Sequence, residues 1–412
     1  MAPKSLFKSL LISAAFTSTL GQTGLAPKAY LSLPLGAIRA TGWLQDQLIV
    51  QTNGLAGHEH EFYNYVSQTD WMGGSSYYSS LEEAGSYWFN AMVPNGILAN
   101  NTAIIQRTQQ FLDYVLQHQD STGWLGPEVN TTKPRYLWGR YPFMFGAIQM
   151  VEYNPALTDE VVTALHKFVS LANTMLHNGQ GVEAWTQTRW EDFVMTLQWL
   201  YDFHPNNNQA LLLDTMEQLK YTGVPWELVF ESQYFPTTAT ENLRNPLGYV
   251  LSWHGVNMAE GLKALPATYR FTHNQTDLDR ASQGWDLLFQ YHGRPSGIYA
   301  ADEYLAGLEA ARGTELCLVV VSVTAIVLFK LPYILKLNEK GNYVFVVIGD
   351  PKYVDRVERI AYNALPATLT GDFWSRQYLQ QQNQIAAKNM SPNPFPNDGP
   401  YSNVFGLEPN YP

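Results

Sequence analysis

The sequence predicts an all-α fold in which antiparallel helix pairs close into a barrel. Three observations carry that expectation. Apolar residues recur at helical spacing along most of the chain, strand-like alternation is scarce, and short turn-rich connections join one helical stretch to the next. Neither a coiled-coil heptad nor a short repeat of the tetratricopeptide or ankyrin kind accompanies the pairs, which favours a closed barrel over a solenoid.

Taken in order, the first clear helix places Ile104, Ile105, Phe111, Leu112, Val115 and Leu116 on one stripe and stops at Asp120-Ser121-Thr122-Gly123. Thr158 is expected to cap the next, with Asp159 and Glu160 in its first turn. Val161, Val162, Leu165, Phe168, Val169, Ala172, Met175 and Leu176 keep its period until Asn178-Gly179. A third spans about Glu191 to Phe203, closed by His204-Pro205, and a fourth about Gln209 to Tyr221. A further helix, Gly255 to Leu265, follows His254. Loops rich in Trp, Tyr, Gly and Asn, from Asp70 to Tyr78 and from Tyr136 to Tyr141, are expected to gather at one mouth. Aromatics there, Trp138 among them, either stack on sugar rings or fill the helical core.

Ahead of these elements, Lys4 and Lys8 precede the apolar run Leu10 to Phe16, with Thr19 and Gly21 at the spacing of a cleavage site. This is read as a secretory signal peptide over 1–21, leaving 22–412 as one barrel domain in a secreted, extracellular protein. Sequons at Asn100, Asn130 and Asn274 agree with export, while Pro392 disfavours the one at Asn389. With 412 residues, 46% apolar and 15% charged, the chain has material for a large core. A net charge of -11 and a pI near 5.3 repel phosphate backbones and anionic lipid, so nucleic acid and membrane are excluded as expected partners. A carbohydrate fits better.

The chain's only cysteine, Cys317, stands two residues after Glu315. A carboxylate and a thiolate at that spacing can both reach one Zn²⁺, but they make only half of a tetrahedral site. In an exported chain Cys317 cannot form an intrachain disulfide. It is therefore a small buried hydrophobe, a partner for another chain, or a metal ligand.

The segments Pro34 to Leu44, His254-Gly255-Val256-Asn257, Asp302 to Gly307, Gly313 to Cys317 and Asp355 to Ala367 together resemble the β-L-arabinofuranosidase family, glycoside hydrolase family 127. That resemblance implies an (α/α)6 barrel followed by β-sandwich domains. It also implies a retaining mechanism on terminal arabinofuranose of plant-type glycans, through a zinc-bound cysteine nucleophile. Glu315 and Cys317 match the family's metal pair. Glu303 matches its general acid/base, or is a solvated loop carboxylate. His254 matches a residue that hydrogen-bonds the sugar, or is a satisfied helix-start histidine. His292-Gly293 is read as a turn. The family's Cys-Cys nucleophile pair would follow a segment like Phe405 to Pro412, where this chain stops, so the barrel is expected to be incomplete, its nucleophile missing and its β-sandwich absent.

The run from Leu318 to Leu337 departs from the family. It is too short for a membrane span before Lys330 and Pro332. A strand pair would contradict the helical pattern on both sides, and the favoured reading of about 321–345 is an in-frame retained intron. Two rivals to the hydrolase reading stand beside it: a non-catalytic carbohydrate-binding protein, and a polysaccharide lyase on a similar barrel.

Overall fold

The computed structural model describes residues 24–374 apart from 32, 129–132, 241, 242, 244, 250, 302, 303, 309–313 and 316–342, together with the backbone of 314–315, 376–377, 379–380 and 405–406. Its helices in chain order are α1 Trp43–Asn53, α2 Leu55–Phe62, α3 Asn64–Ser67, α4 Glu83–Ala99, α5 Thr102–Gln117, α6 Arg140–Tyr153 and α7 Thr158–His177. They continue with α8 Ala184–Thr188, α9 Trp190–Phe203, α10 Gln209–Thr222, α11 Trp226–Val229, α12 Gly255–Thr272 and α13 Gln275–His292. Shorter helices cover Tyr343–Ile348 and Pro351–Arg359. The described strands are two-residue ladders, pairing Thr314–Glu315 with Leu379–Gln380 and Arg376–Gln377 with Phe405–Gly406.

Two kinds of helix alternate, and composition separates them. α4, α6, α9 and α12 bury residues on almost every face, from Arg140 to Val151 without a break in α6 and from Trp190 to Leu200 in α9. A helix apolar or small all round belongs inside. α5, α7, α10 and α13 bury one stripe and leave the other face wet. Each inner helix packs on the next, in the order α4, α6, α9, α12 and Tyr343–Ile348, while α5, α10 and α13 lie outside α4, α9 and α12. This is an all-α, α/α-barrel arrangement.

The predicted helices appear close to their expected limits, with two corrections. Thr158 does not cap α7: it lies within the helix and its hydroxyl donates to Pro155 O at 2.6 Å, because the 3-10 turn Pro155–Leu157 already leads into it. α12 continues past Leu265 to Thr272 with Pro266 in its interior. Proline removes one backbone donor and ordinarily ends a helix, but here neighbouring helices pack on every face and override that local preference. The last positions of the suspected 321–345 insertion, Tyr343 to Phe345, begin the helix that runs on to Ile348. Tyr343, Val344, Val346 and Val347 are buried, and the Tyr343 hydroxyl bonds Gln198 of α9. Positions 321–342 lie outside the described residues, as do the proposed signal peptide and the Cys317 side chain. No helix among the described residues is long and apolar enough to cross a membrane.

One end of the barrel is floored by the segment 24–39. Ala26 N donates to Arg270 O at 2.6 Å at the end of α12, and Lys28 pairs with Asp202 at the end of α9. Tyr30 stacks on Phe345, and Arg39 bonds the last carbonyls of α4. The floor covers the C-terminal ends of the inner helices. Their N-terminal ends are left to build a site.

Candidate functional site

Each inner helix starts with polar or aromatic residues: Glu82 and Glu83 before and in α4, Trp138 to Arg140 at α6, Arg189 to Asp192 at α9, and His254 to Asn257 at α12. Gly139 lets α6 begin against the α4 lead-in, since a Cβ there would lie 2.1 Å from Leu81 O. Glu183 caps α8, accepting from Trp185 N at 2.5 Å and Thr186 N at 2.7 Å, and Thr186 Oγ1 accepts from Trp138 N at 3.3 Å. Local capping thus brings Trp185 onto Trp138.

The result is an aromatic corner built around one cation. Trp138 and Trp185 stack with centroids 5.3 Å apart, and the Arg189 guanidinium lies 4.8 Å from each ring. Arg189 Nε donates to Asn257 Oδ1 at 2.7 Å, and Nη1 donates to the Tyr87 hydroxyl at 3.0 Å. His254 meets the edge of Trp185 at 5.3 Å and caps α12 by accepting from Val256 N at 3.2 Å through Nδ1. Burial, reinforced by the Arg189 charge, holds His254 down to about 3, so its ring is neutral. Trp138, Arg189, His254 and Asn257 are buried, whereas Tyr87 and Trp185 are half-buried and present the accessible surface.

Beneath the corner lies a buried charge cluster between α9 and α12. Lys263 contacts Asp192 at 2.5 Å and also Glu260, one turn earlier on its own helix. Burial lowers and the surrounding carboxylates raise the Lys263 ammonium, with the raising effect winning, so it stays charged. Burial and the Glu260 carboxylate push Asp192 up, and burial pushes the fully buried Glu191 well up. Glu191 is therefore the neutral member beside an ion-paired set. A second ion pair lies at the α4 end, where Lys133 Nζ donates to the buried Glu82 Oε1 at 3.2 Å. Glu82 adopts φ 61 and ψ 36, a left-handed conformation that costs a glutamate about 1–3 kcal/mol.

Of the sequence-predicted residues, the fold brings His254 and Trp138 together through Trp185. Trp138 lies under the corner with its indole Nε1 buried and without a hydrogen-bond partner among the described residues, and the ring open to solvent is that of Trp185. Glu303, Cys317 and Asn130 lie outside the described residues, and of Glu315 only the backbone is described. The chain on either side of Glu303 is held beside the corner: Tyr299 hydroxyl donates to Gly255 O at 2.7 Å, and Ala301 bridges Leu305. His292 is structural, donating to Pro236 O at 2.9 Å and accepting from Gly307 N at 2.9 Å. Asn100 and Asn274 are exposed at helix termini. Among the described residues no three His, Cys, Asp or Glu side chains gather in a way that could hold a metal. Sequence reading missed Arg189, Tyr87, Trp185 and the Asp192–Glu260–Lys263 set. A usable signal was present: ionisable residues at an i, i+3 spacing inside a helix with small or apolar residues all round.

No family model and no curated protein matches the chain. Solved structures do. A GH127 β-arabinofuranosidase superposes with a TM-score of 0.60 at 14% identity, over 87% of this chain and 58% of that one. A structure described as a glycoside hydrolase gives 0.57 at 11% identity, over 89% and 56%. A GH127 β-L-arabinofuranosidase from Geobacillus stearothermophilus T6 gives 0.56 at 13% identity, over 84% and 58%. The chain shares their fold and spans somewhat more than half the length of each.

Proposed function

We propose that this chain forms the barrel of a glycoside hydrolase that releases a terminal neutral sugar, β-L-arabinofuranose by resemblance. The observation that supports it most is the corner at the inner-helix N-termini: half-buried Trp185 and Tyr87 beside buried Arg189, His254 and Asn257, on a fold shared with β-arabinofuranosidases. Sugars need both kinds of surface, an aromatic face for C–H groups and fixed donors and acceptors for hydroxyls. The Arg189 guanidinium already bonds Asn257 and Tyr87 and packs against two indoles, which fits a neutral sugar better than a uronate.

In this reading Glu303 protonates the leaving oxygen and then takes a proton from the attacking water, with net retention. His254, held neutral, accepts from or donates to a ring hydroxyl, and Trp185 excludes water from one sugar face. Zinc bound at Glu315 and Cys317 would keep a thiolate deprotonated. Two further donors are needed to complete that shell, and the family's Cys-Cys pair would supply them from beyond a Phe405–Pro412-like segment.

A second reading is favoured by one observation: Tyr87, Trp138, Trp185, Arg189, His254 and Asn257 among the described residues already form an aromatic, hydrogen-bonding surface. A non-catalytic carbohydrate-binding protein would keep it. The two readings part on an aryl β-L-arabinofuranoside assayed with the full protein and added zinc. Release of the aglycone, abolished by Glu303→Gln, supports the hydrolase. Arabinose binding without release, weakened about tenfold by Trp185→Ala and untouched by Glu303→Gln, supports the binding protein. Neither release nor binding sinks both.

A further inference from the structure

Asn274 opens a sequon, Asn274-Gln275-Thr276, that the sugar-cleaving reading does not use. The fold occupies only half of its carboxamide. Asn274 Oδ1 caps α13 by accepting from Thr276 N at 3.1 Å, and the backbone around it is pinned, with Asn274 N donating to Thr272 Oγ1 at 3.2 Å and Asp277 N donating to Asn274 O at 2.9 Å. The side-chain nitrogen Nδ2 has no partner among the described residues. An N-linked glycan is built on Nδ2 and leaves Oδ1 as an acceptor, so cap and modification are compatible. Asn274 and Thr276 are both exposed.

Beside this asparagine lies a groove of about 330 Å³ lined from α10 by Lys220, from α11 and the turn after it by Glu227 and Glu231, and from α13 by Thr276 and Arg280. That volume is of the order that small-ligand sites occupy. Its charges are already matched: Lys220 Nζ donates to Glu227 Oε1 at 2.9 Å and Arg280 Nη2 to Glu231 Oε1 at 3.0 Å, while the buried Asp277 accepts from Thr272 Oγ1 at 2.8 Å. A groove of paired charges offers donors and acceptors without a strong pull on an ion. A neutral, hydroxyl-rich ligand suits it.

We propose that Asn274 carries an N-linked glycan and that its innermost N-acetylhexosamine lies in this groove between α10 and α13. The proposal rests on export of the chain and is independent of the chemistry at the barrel mouth. In the transfer, Nδ2 loses one proton and bonds the anomeric carbon of a lipid-pyrophosphate-linked oligosaccharide, and the lipid pyrophosphate departs. The site is remote from the aromatic corner, because it follows the C-terminal end of α12, which the 24–39 segment floors; neighbouring His273 donates through Nε2 to Gly24 O at 2.8 Å. Asn100 shares that placement, directly after the last turn of α4. Glycans there leave the mouth clear for substrate.

The test is expression of the full chain in a secreting, glycosylating eukaryotic host, followed by peptide-N-glycosidase treatment in heavy-oxygen water and peptide mapping. The Asn274 peptide should return as labelled aspartate, and Thr276→Ala, which removes the sequon but not the cap, should abolish the label there alone. Seating in the groove is read separately, by native digestion with an endoglycosidase that cuts between the first two sugars. Cleavage at Asn274 should run about tenfold faster once Glu231→Ala and Arg280→Ala together remove one wall, and Lys220→Ala tests the opposite wall. An unlabelled Asn274 in the secreted chain, or a chain that never reaches the medium, overturns the proposal. Cleavage equally fast in the parent and in both groove variants overturns the seating.

Discussion

Asp192 and Glu260 lean on the buried ammonium of Lys263, whereas Glu82, before another inner helix, is met by the half-exposed ammonium of Lys133. Glu82, Asp192 and Glu260 are alike in being 2% exposed or less. They differ in what neutralises them. A lysine side chain is a permanent counter-charge whose own proton is held more tightly by the carboxylates around it. Lys133 is about half exposed, so water screens the counter-charge it offers Glu82. Carboxylates of similar burial thus differ in how far their counter-charge is itself shielded from water.

The comparison breaks most visibly at Lys263. Lys263→Met should cost about 3–5 kcal/mol, because it strands Asp192 and Glu260 without their counter-charge in a site 2% exposed or less. Urea unfolding measures it, and a loss below about 1 kcal/mol would mean the cluster is neutral without its lysine. Glu82→Gln works in the opposite direction. Glu82 is raised on folding, so its stabilising effect is complete below 4.5 and is lost as pH climbs to about 9. The glutamine variant should therefore gain on wild type by up to about 1.4 kcal/mol per pH unit across that window, read as a widening gap in thermal midpoints. Parallel midpoint curves would show that burial does not raise Glu82.

The smallest effect is expected at His254, in the acid range. Its folded value of about 3 lies below the ordinary 6.5, so the stability it contributes is present in full above 6.5 and fades as pH falls towards 3. His254→Asn keeps an acceptor for Val256 N and should shallow the acid slope by up to about 1.4 kcal/mol per pH unit. His292, lowered to about 4 by burial, continues to titrate in the same range and leaves a residual slope. An unchanged slope in His254→Asn would show that the imidazole is hydrated in solution.

Much of the barrel was readable from residue order. α5 and α7 followed from apolar spacing and end signals, and the close of α9 from His204-Pro205, because helix formation is decided within a few turns. The length of α12 was not readable: Pro266 is a local stop signal, and only packing on all sides lets the helix continue. For the site, His254 could be singled out from its motif, and its burial beside Trp185 could not. Arg189 carried no local signal at all. Its significance comes from Tyr87, 102 positions earlier, and Asn257, 68 positions later, meeting its two ends.

By itself the sequence determined that the protein is helical, which stripes face inward, and which residues open each inner helix, since these depend on period and on neighbours in the chain. Tertiary structure alone decided which of those helix starts share a corner, which carboxyl meets a buried ammonium and which meets an exposed one. Those outcomes depend on distances between remote positions and on exclusion of water, and no short stretch of sequence encodes either.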